Sequence, residues 1–166
     1  KQNIEYFRGS ENNVLKRVYF AAKKYKADNI VEISGDSPLI DPKIIDDAIK
    51  FLKINNHVDY LNVDHGLPGG IGFEIIKFMS LKKSYQFSTK KYEKEHVTPY
   101  IIKNPRKFNS FYFIANKKLK YPMNLSFLLD EKEDYLFLQK ITSLIKKNFF
   151  DNFDLIKIIK KKKINL

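Results

Sequence analysis

The ten residues Ile33-Ser34-Gly35-Asp36-Ser37-Pro38-Leu39-Ile40-Asp41-Pro42 join two unlike stretches of chain. Ahead of them, residues 29–34 have the short β-branched run of a strand, and Gly35, Asp36, Ser37 and Pro38 are the turn residues that end it. After them, Asp41 followed by Pro42 marks a helix start: a side chain that can cap, then a ring whose fixed φ and missing N–H suit the first helical position. Ile44, Ile45, Ala48, Ile49 and Leu52 then recur as one buried stripe. Strand, tight turn and helix in this order form the repeating unit of an α/β sheet, where ligands bind beyond the carboxyl ends of the strands. Asp36 stands just past such an end, beside Gly35, which lets a ligand approach closely. Its carboxylate can serve a metal ion or close an Asx turn ahead of Pro38, and the ten residues alone leave both open.

Working outward, Val14, Leu15, Val18, Ala22 and Tyr25 recur at helical spacing, with Ser10 as the expected N-cap and Glu11 favourable to the helix dipole. Residues 1–8 read as a strand already in progress, so the chain is expected to begin inside a longer protein. Downstream, residues 58–63 and 71–78 are expected strands around a loop at 64–70 that is rich in glycine. Residues 88–103 are expected to be helical despite Pro99, and 108–115 and 125–129 are expected strands. A helix is expected from Asp130 to about Lys147 and a short one over residues 155–159, with no internal repeat. The alternation predicts a largely parallel sheet with helices on both faces.

The chain of 166 residues is long enough for one α/β domain with a real core, so residues 1–166 are read as a single domain. A 43% hydrophobic and 14% aromatic content supplies that core, so the 30% charged fraction does not indicate disorder. The net charge of +12 raises the question of nucleic acid. Only Arg8, Arg17 and Arg106 among the 31 basic residues are arginine, the side chain that grips phosphate and guanine bidentately. A solvated lysine surface is the favoured reading, and no nucleic-acid partner is expected; the field would help to attract a triphosphate. There is no cysteine, and no apolar run approaches a membrane span, so a cytoplasmic protein without a membrane partner is expected.

Three separated segments together resemble one family. They are Phe7-Arg8-Gly9-Ser10-Glu11-Asn12-Asn13-Val14-Leu15, Gly35-Asp36-Ser37-Pro38-Leu39-Ile40-Asp41-Pro42 and Glu95-His96-Val97-Thr98-Pro99-Tyr100-Ile101. In this order they resemble the cytidylyltransferases of the spore coat polysaccharide biosynthesis protein F type, related to the synthetases of CMP-Kdo and CMP-sialic acids. The resemblance implies a three-layer, Rossmann-like nucleotide-diphospho-sugar transferase fold with a mostly parallel sheet. It implies transfer of CMP from CTP to a sugar or sugar acid for surface polysaccharide synthesis. It also implies Mg²⁺ held by two acidic residues, matching Asp36 and, at the end of Leu128-Leu129-Asp130, Asp130. Taken alone, Asp130 with Glu133 three residues on reads first as a capping pattern.

By the same resemblance Arg8, Gly9, Ser10 and Gly35 lie by the nucleotide, while Glu74, Glu95 and His96 face the acceptor. Ser10 can also be a simple helix cap, and a lone histidine such as His96 is more often structural. The loop from Gly66 to Gly72 lacks the Gly-Lys-Ser/Thr ending of a phosphate-binding loop and leads into a strand, so neither that nor a dinucleotide fingerprint applies. His57 and His65 have no zinc-ligand spacing. Relatives begin with a strand and a glycine-, arginine- and lysine-bearing loop that grips the triphosphate, and residues 1–8 supply neither. The expectations are therefore an N-terminally truncated domain that is inactive alone, and an unpaired sheet edge that favours self-association as a homodimer. The readings that compete are a degenerate sugar- or nucleotide-binding domain without catalysis and a basic nucleic-acid binder.

Overall fold

A computed structural model describes residues 4–64, 66–114, 125–145 and 151–161. Residues 1–3, His65, Ala115 and Lys147, on which some expectations fall, lie outside the described residues. Four strands, β1 (Asn29–Glu32), β2 (Tyr60–Asn62), β3 (Glu74–Lys77) and β4 (Ser110–Tyr112), form one sheet in the order β1-β3-β2-β4. The Phe78 N–H donates to the Asp28 carbonyl, Lys77 to Asp59 and Val63 to Phe73, so β3 runs against both neighbours. Bonds from Asp59 to Asn109 and from Phe113 to Asn62 set β2 and β4 parallel. Three strands thus share one direction, and β3 makes the sheet mixed.

The chain divides into two compact units that alternate along the sequence: Lys1–Val31, Asn56–Leu61 and Ile75–Phe111 form the first, and Glu32–Asn55, Asn62–Glu74 and Tyr112–Leu166 the second. In the first unit, α1 (Val14–Lys24) buries Leu15, Tyr19 and Ala22 among Ile76, Leu81, Val97 and Ile101. The Tyr19 ring stacks on Tyr85 at 4.5 Å and on Phe78 at 5.8 Å, so aromatic surface forms much of this core. The helix α3 (Phe78–Phe87) has no counterpart in the sequence expectations. Its buried face is Ser80, Leu81 and Ser84, too polar a stripe to register as apolar periodicity.

The helix expected over residues 88–103 is two short ones, α4 (Lys91–Glu95) and α5 (Pro99–Ile102). Val97 adopts φ 62° between them, and Pro99, with no N–H to donate, can only start a new helix.

In the second unit the Asp41 carboxylate accepts the Lys43 N–H at 2.8 Å and caps α2 (Pro42–Ile54), with Pro42 in the first turn. Ile44, Ala48 and Leu52 are buried, as the stripe required. On its surface Lys43 Nζ lies 2.7 Å from Asp47, which raises the lysine pKa and lowers that of the aspartate through their hydrogen bond. A separate core joins Leu39, Ile71 and Phe127 to α6 (Lys132–Leu144) and α7 (Asn152–Lys161) through Leu138, Ile141, Leu155 and Ile159. The strand expected over residues 125–129 is a single parallel bridge between Ser126 and Gly69. Its partner is the glycine loop, so no ladder extends along it. Among the described residues no helix is long and apolar enough to cross a membrane.

Candidate active site

Beyond the end of β1 the chain makes a β-turn in which the Ser37 N–H donates to the Ser34 carbonyl at 3.2 Å, leaving Gly35 and Asp36 at its centre. The Asp36 carboxylate accepts the Ser37 hydroxyl at 3.1 Å, so backbone bonding forms this turn and the Asp36 side chain does not close it. The Asp36 carbonyl in turn accepts the N–H of Leu129 at 2.9 Å. That bond ties the turn carrying Asp36 to the segment carrying Asp130, and both belong to the second unit.

The capping pattern at Asp130 falls one residue later than the sequence suggested. Glu131 is the cap position of α6, and the Asp134 carboxylate accepts from the N–H groups of Glu131 at 2.8 Å and Asp130 at 3.1 Å. Asp134 therefore supplies the reach-back bond, and the exposed Asp130 carboxylate has no hydrogen bond among the described residues. Asp134→Ala should cost about 1 kcal/mol, read as a lower urea midpoint at unchanged slope. An unchanged midpoint would show that these two bonds add nothing to stability.

The glycine loop meets this segment from the other side. The Phe127 N–H donates to the Gly69 carbonyl at 2.7 Å, and Gly70, at φ 82°, lies flat on the Phe127–Leu128 peptide, where any β-carbon would strike backbone. A cleft of about 270 Å³ opens here, lined by Glu32, Ser34, Ser37, Asn62, Asp64 and Glu74 together with Leu128 and the loop glycines. Glu74, expected at the acceptor side, is in this lining. Glu32 and Asp64 were not anticipated. Glu32 carried a signal, a charge inside an otherwise apolar strand, whereas Asp64 read only as the start of a loop.

The remaining candidates belong to the first unit. Residues 4–8 form no strand, and the cap of α1 is Asn13, whose side chain accepts the Lys16 N–H at 2.9 Å. The expected cap, Ser10, instead accepts the N–H of Asn13 at 3.1 Å, so Arg8, Gly9 and Ser10 precede the helix by a turn and do not form its N-terminus. The reason is local: an Asx cap immediately ahead of the apolar run outcompetes a serine three residues earlier. Arg17 Nη1 donates to the Ser10 carbonyl at 2.7 Å and holds this turn, while the exposed Arg8 guanidinium sits 5.6 Å over the Tyr6 ring. Glu95 ends α4, and the exposed His96 lies 4.5 Å from the Tyr92 ring.

Among the described residues no three His, Asp or Glu side chains converge to hold a metal by themselves. What the structure shows for Asp36 and Asp130 is that the segments carrying them are joined by the backbone bond from Leu129 to Asp36.

The cytidylyltransferase family model matches residues 2–165 of the chain. The chain is 39% identical over 145 residues to the uncharacterized protein MJ1063 of Methanocaldococcus jannaschii, which covers 86% of this chain and 58% of that protein. It is 30% identical over 142 residues to the spore coat polysaccharide biosynthesis protein SpsF of Bacillus subtilis, covering 81% of this chain and 55% of that one. The chain thus spans little more than half the length of these two relatives. A solved cytidylyltransferase structure from Leptospira borgpetersenii serovar Hardjo-bovis superposes with a TM-score of 0.90 at 32% identity, over 97% of this chain and 68% of that one.

Proposed function

The chain belongs to the cytidylyltransferase family, and from that premise we propose that the whole protein transfers CMP from CTP to a sugar or sugar acid for surface polysaccharide synthesis in the cytoplasm. Its α/β fold is that of the nucleotide-diphospho-sugar transferases. The observation that supports the site assignment is the bond from the Leu129 N–H to the Asp36 carbonyl, which joins two acid-bearing segments beside a polar cleft. In the proposed reaction an acceptor hydroxyl attacks the α-phosphorus of CTP, the bond from that phosphorus to the bridging oxygen breaks, and pyrophosphate leaves while the hydroxyl proton passes to water. Mg²⁺, held by Asp36 and Asp130 with the substrate phosphates, would neutralise the charge that grows on the α-phosphate and the departing pyrophosphate.

The chain's own residues position the reactants. The backbone-built turn fixes Asp36, the α6 cap leaves the Asp130 carboxylate free of it, and Gly35 has no atom within 4 Å of where its β-carbon would be, so a nucleotide can approach there. Glu74 in the cleft is proposed to contact the acceptor, and Arg8, Gly9, Ser10, Glu95 and His96 are proposed contacts carried by the first unit.

The test is pyrophosphate release from CTP and Mg²⁺ by the whole protein with N-acetylneuraminic acid, 3-deoxy-manno-octulosonic acid and neutral hexoses as acceptors. Release with one of them, lost on chelation of the metal, is expected. Calorimetric binding of CTP with no release from any acceptor would favour a binding domain without catalysis. Residues 1–166, which span little more than half the length of the two relatives, are proposed to be inactive on their own; release by these residues alone would overturn that.

A further inference from the structure

We propose that Asp64 recognises the acceptor by receiving hydrogen bonds from its hydroxyl groups, an inference that rests on the transferase reading above. Asp64 is held from both sides of its own backbone. Its N–H donates to Asn62 Oδ1 at 3.0 Å, and its carbonyl accepts the Leu67 N–H at 3.2 Å. Asp64 lies directly over Gly72, where a β-carbon would collide with Oδ1 and come within 2.8 Å of Cγ and 2.9 Å of the Asp64 Cα. The missing side chain of residue 72 is therefore space that the Asp64 carboxylate and Cα occupy. This arrangement faces the cleft shared with Glu74, and the carboxylate has no hydrogen bond of its own among the described residues.

The chemistry selects the kind of ligand. An ionised carboxylate only accepts hydrogen bonds, and its two oxygens can take a pair of neighbouring hydroxyls, the group a sugar offers in abundance. Glu74, proposed above to contact the acceptor, lines the same cleft, which puts the Asp64 carboxylate on the acceptor's side of the reaction. A fixed backbone keeps the carboxylate in place before the sugar arrives, which limits the ordering cost of binding.

The experiment uses the whole protein and the acceptor, among the two sugar acids and the neutral hexoses named above, that supports pyrophosphate release. Asp64→Asn keeps the size of the side chain over Gly72 and removes its charge. It should raise KM for the acceptor by about ten- to a hundredfold, with KM for CTP and the Mg²⁺ dependence within about twofold of wild type. Asp64→Glu, which keeps the charge but not the reach, should also raise the acceptor KM while leaving KM for CTP within about twofold of wild type. An unchanged acceptor KM in Asp64→Asn, or a rise in KM for CTP or in the Mg²⁺ requirement in its place, overturns the proposal while leaving the transferase reading intact. Absence of release by the wild type with every acceptor overturns the transferase reading, and this inference with it.

Discussion

Asp36→Ala and Asp130→Ala should each lower kcat/KM for CTP-dependent pyrophosphate release by at least about a hundredfold, if the two carboxylates share one cation as proposed. Neither change should unfold the protein. Among the described residues the Asp36 carboxylate accepts only the neighbouring Ser37 hydroxyl, and the bond from Leu129 goes to the Asp36 backbone carbonyl, which alanine retains. Asp130 stands outside the cap of α6, so its removal leaves the bonds made by Asp134 in place. The double variant should lose little more than either single one, because the second carboxylate has nothing left to coordinate once the ion is gone. In calorimetry, CTP affinity should cease to depend on Mg²⁺ in both variants. Near wild-type turnover in either one, or losses that multiply in the double variant, would show that the two residues do not act on a common ion.

Gly70→Ala should be the most damaging single substitution for stability in this part of the chain. At φ 82° a β-carbon is strained by about 1–2 kcal/mol before any contact is considered. The contacts are worse, since the added carbon meets the Phe127 carbonyl and the Leu128 nitrogen, which are backbone and cannot rotate away. Relieving the collision would break the bond from Phe127 to Gly69 and disturb the buried Phe127 ring. A combined loss of about 3–5 kcal/mol is expected, or roughly ten degrees or more in Tm for a protein of this size. Gly35→Ala is the control, because Gly35 has open space around it. Equal Tm values for the two variants would mean that the glycine loop does not pack on the Phe127 segment.

Much of the fold was legible because its signals are local. A β-branched run before Gly35 gave β1, and Asp41 with Pro42 gave the start of α2, since a capping oxygen and a preset φ act within one turn of chain. The failures are local rules that lost to a competitor. Ser10 yielded the cap to Asn13, Val97 and Pro99 split an expected helix, and α3 hid behind a buried face of serines.

The candidate site divides in the same way. The order of three motifs in the sequence pointed to the family, and the resemblance, more than the residues alone, made Asp36, Asp130, Gly35 and Glu74 candidates for the site. Only the tertiary structure decided that Leu129 bonds to Asp36, that the Asp130 carboxylate is left out of the helix cap, and that Asp64 stands in the room left by Gly72. The reason is physical: residue type and spacing constrain what lies within a turn or two of chain. Which distant backbone groups pair, and which side chain fills the space beside a glycine, depends on how the whole sheet and its loops pack.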